Sequence, residues 1–172
     1  PSWTVALGQA IDTLKARGVS VIVSSGNNGS GLDMQAPACI ANAVSVGAVW
    51  DSDVGAKTFF RCTDETTAPD KDACWSNSST TTDVFAPGAI VTSTRMGGGE
   101  VSYVGTSQAA PIVTACAALL LEESPHLDAA DIETMLKRSD VRVTDSTNGL
   151  SFPRLDCAMA LLAFFSDGFE GH

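Results

Sequence analysis

Apolar positions near the start of the 172-residue chain recur at helical spacing. Leu7, Ala10, Ile11 and Leu14 fall at i, i+3, i+4 and i+7, which predicts one buried face of a helix over 4–17. Gly18 follows as a C-terminal stop. The pattern then changes. Residues 19–23 read Val-Ser-Val-Ile-Val, a mostly β-branched run that predicts a strand buried on both faces. Residues 24–31, Ser-Ser-Gly-Asn-Asn-Gly-Ser-Gly, form a turn-rich loop directly after it. Helix, strand and Gly/Asn loop in this order predict a parallel α/β sheet. The loop lies at the carboxyl end of a strand, the edge where such sheets bind ligands.

Residues 43–50 read as a second buried strand. Residues 51–82 are polar and contain Cys62 and Cys74, which predicts an excursion loop clipped by a disulfide. A bridge over that spacing contributes ~2–3 kcal/mol. Short strands are expected at 83–86 and 90–94, around Pro87-Gly88, with a tight turn at Gly97-Gly98-Gly99. Residues 101–104 lead into a turn at Ser107. The helix begun there runs to residue 121 and is apolar on nearly every face, which predicts a central, fully covered helix ended by Pro125. Asp128 is placed to cap a further helix to residue 138, with Asp131 and Glu133 near its positive end. A strand at 141–143 and a helix at 154–165 follow. No internal repeat or linker divides residues 1–165, and 166–172 reads as a loose tail.

Composition narrows the classes. Hydrophobic residues make up 44 %, enough for a real core. Twenty acidic residues against ten basic ones give a net charge of −10, which argues against nucleic acid and against an anionic membrane surface as partners. No apolar run approaches the ~18 residues of a transmembrane helix. The chain opens on Pro1 without a leader pattern, so it is expected to begin inside a longer precursor or after a removed signal. Five cysteines favour an oxidising compartment, secreted or periplasmic, and leave at least one thiol unpaired within the chain. The partners of Cys39, Cys116 and Cys157 stay open, with Cys116 read most simply as core filler.

The candidate chemistry centres on Gly105-Thr106-Ser107-Gln108-Ala109-Ala110-Pro111. A serine opening an apolar helix has its hydroxyl and its own backbone N–H at the positive end of the helix dipole. A nucleophile and an oxyanion donor are needed together at such a place. Asn27, on the loop after the first strand, is the candidate side-chain donor.

These residues, with others in order along the chain, resemble the subtilisin-like serine proteases (subtilases). The matching segments are Ser24-Ser25-Gly26-Asn27-Asn28-Gly29, Ala36-Pro37-Ala38 and Val44-Ser45-Val46-Gly47-Ala48. They continue with Trp75-Ser76-Asn77, Ala86-Pro87-Gly88 and the Gly105–Pro111 element. The resemblance implies an α/β fold, the C-terminal part of a parallel-sheet domain with helices on both faces. It implies a serine endopeptidase with Ser107 as nucleophile and Asn27 as oxyanion donor. Thr106 would support the oxyanion hole, and Ser24, Ser25 and Gly26 would wall the pocket for the substrate side chain before the scissile bond. Pro37 falls where the family commonly has a cis peptide. The chemistry requires no cofactor. Asp51, Asp53 and Asp64 lie in polar loops near positions where some members bind a cation, which leaves a structural calcium and a solvated acidic loop as alternatives.

The departures matter as much. Gln108 stands where the family has Met, and Ile112 where it has a non-catalytic His. The Asp and His that complete a serine hydrolase are absent. The histidines here are His126, some 19 residues beyond Ser107, and His172 at the chain end. The implied partner is therefore an N-terminal chain of the same protease carrying Asp and His, and the implied substrates are peptides or proteins. A non-catalytic binding or structural protein is the second reading. An α/β-hydrolase esterase is disfavoured because no Gly-x-Ser-x-Gly surrounds Ser107.

Overall fold

The computed structural model describes residues 2–166. Its elements run α1 (Ser2–Lys15), β1 (Ile22–Ser24), β2 (Val44–Trp50), β3 (Lys57–Thr58), β4 (Thr63–Asp64), β5 (Val84–Ala89), β6 (Val91–Thr94) and β7 (Glu100–Tyr103). Then follow α2 (Thr106–Glu123), α3 (Ala129–Leu136), β8 (Arg142–Thr144), β9 (Ser151–Pro153) and α4 (Cys157–Ser166). The expected tail beyond Ser166 lies outside the described residues.

The central sheet is parallel, in the order β1-β2-β5. Its register sets Ile22 beside Val44 and Val46 beside Val84. Strand periodicity then splits β2 between two cores. Val44, Val46, Ala48 and Trp50 join the main core with α2, α3 and α4, while Val49 joins Phe85, Val143 and Phe152. The helix α2 packs across all three strands of the sheet. The Phe85 and Phe152 rings stack at 5.2 Å, which holds the β8–β9 hairpin against β5.

Several expectations change. The first strand is shorter than 19–23 and only half-buried. It pairs on one side alone among the described residues. The central helix is covered on one face, not all round. Its buried residues, from Thr106 through Ala109, Val113 and Cys116 to Leu120, keep i+3/i+4 spacing, and Leu119 and Leu121 are exposed. Cys116 is buried but is more than core filler: it bridges to Cys157, tying α2 to α4. The expected Cys62–Cys74 bridge is present, and Cys39 is an exposed free thiol. The polar excursion carries the small β3–β4 hairpin, which its short runs did not announce. The Ala36–Pro37 peptide is cis, and Asp128 caps α3 in a reciprocal capping box with Asp131.

Candidate functional site

The site forms where β1 and β5 deliver loops to the N-terminus of α2. Two glycines permit the approach. The Gly105 N–H donates to the Gly88 carbonyl at 2.8 Å. A Cβ on Gly88 would meet the Ala48 Cβ at 2.7 Å and the Gly105 carbonyl oxygen at 2.8 Å, so only glycine lets the strand end and the helix start lie this close. Ser107 then stands in the first turn of α2, exposed. Its N–H is among the first-turn donors that no intrahelical carbonyl satisfies.

Asn27 is oriented by Thr106. The Thr106 N–H and hydroxyl both donate to Asn27 Oδ1, each at 2.9 Å. A backbone N–H can only donate, so the atom facing it must be the amide oxygen, which turns Nδ2 the other way. Thr106 itself is fully buried, and its Oγ1 accepts from the Gly26 N–H at 3.2 Å. A Cβ built on Gly105 would lie 3.5 Å from Asn27 Nδ2 and 3.6 Å from the Ser107 nitrogen. Both nitrogens thus lie within 3.6 Å of the position a Cβ would take on Gly105. Gln108 Oε1 reaches to 2.7 Å of the same point.

The expected wall residues have distinct placements. Ser24 ends β1 half-buried. Ser25 is fully buried and its hydroxyl donates to the Asn77 carbonyl at 2.7 Å, so it presents backbone and not side chain. Asn77 is the residue that sequence reasoning did not single out. Buried at 2 % exposure, it accepts on Oδ1 from the Asn28 and Ser30 N–H groups at 2.8 and 3.1 Å and fixes the loop that carries Asn27.

No acid–base partner meets Ser107 among the described residues. His126 lies exposed beyond the C-terminal end of α2, a helix of 18 residues spanning ~27 Å at 1.5 Å per residue. His172 lies outside the described residues. Asp51, Asp53 and Asp64 are each engaged by hydrogen bonds from the protein. Asp64 is buried and accepts from the Trp50 indole N–H at 3.0 Å and the Cys74 N–H at 3.1 Å. Asp53 accepts from the Gly55 N–H and the Thr67 hydroxyl, and Asp51 from the Ser52 hydroxyl. No cluster of three or more metal-ligating side chains occurs among the described residues.

Comparison with known proteins gives a consistent picture. The model of the family described as "Subtilase family" matches residues 1–154. The chain is 34% identical over 139 residues to subtilisin Savinase of Lederbergia lenta, covering 81% of this chain and 45% of that protein. It is 30% identical over 150 residues to alkaline serine exoprotease A of Vibrio alginolyticus, covering 86% and 25%. Among solved structures, a cold adapted subtilisin-like serine proteinase superimposes with a TM-score of 0.71 at 27% identity, over 88% of this chain and 50% of that one. The self-cleaved protease domain of PatA gives 0.72 at 26%, over 93% and 55%. The chain thus spans between a quarter and about half of the length of these relatives.

Proposed function

The chain belongs to the subtilase family, and on that premise we propose that it forms the nucleophile-bearing part of a serine endopeptidase. Ser107 Oγ attacks the peptide carbonyl, and a histidine on an N-terminal portion of the same protease takes its proton, oriented by an aspartate there. Asn27 Nδ2 and the Ser107 N–H receive the developing oxyanion, through acyl-enzyme formation and again through its hydrolysis. Thr106 acts as a positioning residue for Asn27. The backbone of Ser24, Ser25 and Gly26 forms one wall for the substrate residue before the scissile bond. The chemistry needs no cofactor, and the substrates are peptides or proteins. The two disulfides support export to an oxidising compartment, outside the cell or in the periplasm.

The observation that carries this reading is the double donation of Thr106 to Asn27 Oδ1, which leaves the asparagine amide nitrogen free beside the Ser107 N–H. A fluorophosphonate probe tests it on the full-length protein. Covalent labelling is expected on Ser107 and is lost in Ser107→Ala. A protein with an intact Asp and His that neither labels nor cleaves peptides would leave a binding role in place of catalysis.

A further inference from the structure

Gln108 follows Ser107 in the first turn of α2, half-buried, and its N–H donates to the Gly105 carbonyl at 2.9 Å. The helix start therefore fixes its backbone and leaves its side chain to move. Three polar atoms are the nearest neighbours of the position a Cβ would take on Gly105. Gln108 Oε1 stands at 2.7 Å, Asn27 Nδ2 at 3.5 Å and the Ser107 nitrogen at 3.6 Å. The last two are the donors assigned above to the oxyanion. The first belongs to a side-chain amide that makes no hydrogen bond among the described residues. Neither atom of that amide is among the polar atoms sealed from solvent without a partner, so a group bound at Ser107 can reach it.

The chemistry of the three atoms is unequal. Asn27 Nδ2 and the Ser107 N–H can only donate, whereas the Gln108 amide offers an acceptor at one corner and two donors at the other. A substrate carbonyl held by the two donors turns negative as Ser107 attacks. An amide oxygen beside a negative oxygen is repelled, and an amide N–H there is attracted. The last torsion of a glutamine is broad and roughly two-fold, so a half-turn exchanges Oε1 for Nε2.

We propose that Gln108 is a further catalytic residue of this site, its amide turning over as the oxyanion forms so that Nε2 donates to it beside Asn27 Nδ2 and the Ser107 N–H; the proposal rests on the proteolytic reading above. The charge on the substrate oxygen drives the turn. The bond is thus made in the transition state and not with the uncharged carbonyl, and it raises kcat without tightening substrate binding. The positive end of the α2 dipole acts at the same place and in the same sense.

Two variants of the full-length protein test it. Gln108→Met keeps the length of the side chain and removes the amide. Gln108→Glu keeps its shape and puts a charged oxygen where the N–H would be. With a peptide substrate, kcat of Gln108→Met is expected to fall ~10-fold or more at unchanged KM, the range of a hydrogen bond to a charged group. Gln108→Glu is expected to fall further. A peptidyl trifluoromethyl ketone gives a readout that needs no turnover. Ser107 Oγ bonds to its carbonyl carbon, the carbonyl π pair moves onto the oxygen, and the serine proton passes to the histidine. The adduct thus holds a stable oxyanion at the site. In Gln108→Met the ketone is expected to bind ~10-fold less tightly, and the pKa of the adduct's hydroxyl, followed by fluorine NMR, to rise. An unchanged kcat, a rise in KM alone, or a fall in kcat with an unaltered adduct overturns the role of Gln108 and leaves a parent that cleaves peptides as a protease. A parent that neither cleaves peptides nor takes the ketone overturns the proteolytic reading, and the role of Gln108 with it.

Discussion

At the residue scale, the geometry around Ser107 depends on a glycine and a threonine, Gly105 and Thr106. A Cβ on Gly105 would stand 3.5 Å from Asn27 Nδ2 and 3.6 Å from the Ser107 nitrogen. Gly105→Ala puts a methyl group there. The methyl meets the end of the flexible Gln108 side chain at 2.7 Å, and the Gly105 backbone, at φ 157° and ψ 157°, is one that a residue with a side chain adopts only under strain. The expected outcome in the full-length protein is a fall in kcat/KM of ~100-fold, the scale of losing an oxyanion donor, together with a lowered melting temperature. Melting temperature and kcat/KM measured on the same preparation check this, and an active Gly105→Ala enzyme would refute the placement of the oxyanion. Ser107 and Asn27 were legible in the sequence because their motifs are local. The role of Asn77 was not, because its Oδ1 serves N–H groups 49 and 47 residues earlier.

At the element scale, α3 is fixed to the rest of the chain by charge as well as by its buried Ile132, Met135 and Leu136. Glu133 pairs at 2.7 Å with Lys15 of α1 and with Lys137, which also reaches Asp83 ahead of β5 at 3.3 Å. Burial pushes the Glu133 carboxyl up, but hydrogen bonds from Lys137 and Lys15 outweigh it and hold the group below its ordinary value of 4.5. Burial likewise pushes Lys137 down, and its bond to Glu133 and the charge of Asp83 overcome that and raise it above 10.5. A depressed carboxyl stabilises the fold above its unfolded pKa and loses that contribution as pH falls through the folded value. A raised ammonium stabilises below its unfolded pKa and loses its contribution as pH rises through the folded value. The network therefore stabilises between about pH 4.5 and 10.5. Glu133→Gln is expected to lower the melting temperature at pH 7, by a difference that shrinks as the pH falls below 4.5. Equal melting curves at pH 7 would show that the network contributes nothing. The capping box at Asp128 was readable from spacing alone, whereas this network was not, since Lys15 and Glu133 lie 118 positions apart.

At the scale of the whole molecule, the three-stranded sheet ends at β1 with an edge that no described strand covers. Large apolar side chains stand exposed on helices, among them Trp3, Leu119 and Leu162. An open strand edge with apolar surface invites pairing with another chain. The 172-residue chain alone is expected to self-associate and to bind an apolar dye. Co-expression with the N-terminal portion of the same protease should give a monodisperse complex with weaker dye binding. Light scattering and dye fluorescence decide it, and a lone chain that stays monomeric and dark to the dye would count against the proposed pairing with an N-terminal portion.

Local chemistry alone determined the order of helix, strand and loop, the helix at Ser107, the cap at Asp128 and the Cys62–Cys74 clip. Each of these rests on neighbours within a turn, a strand or a short loop. Tertiary structure decided what depends on distant segments meeting. It bridged Cys116 to Cys157, covered α2 on one face only, and left β1 half-buried. It also set Thr106 against Asn27, 79 positions apart, and by that contact turned the asparagine amide nitrogen away from Thr106. Periodicity and propensity act along the chain, but which donor faces which acceptor is settled by packing across it.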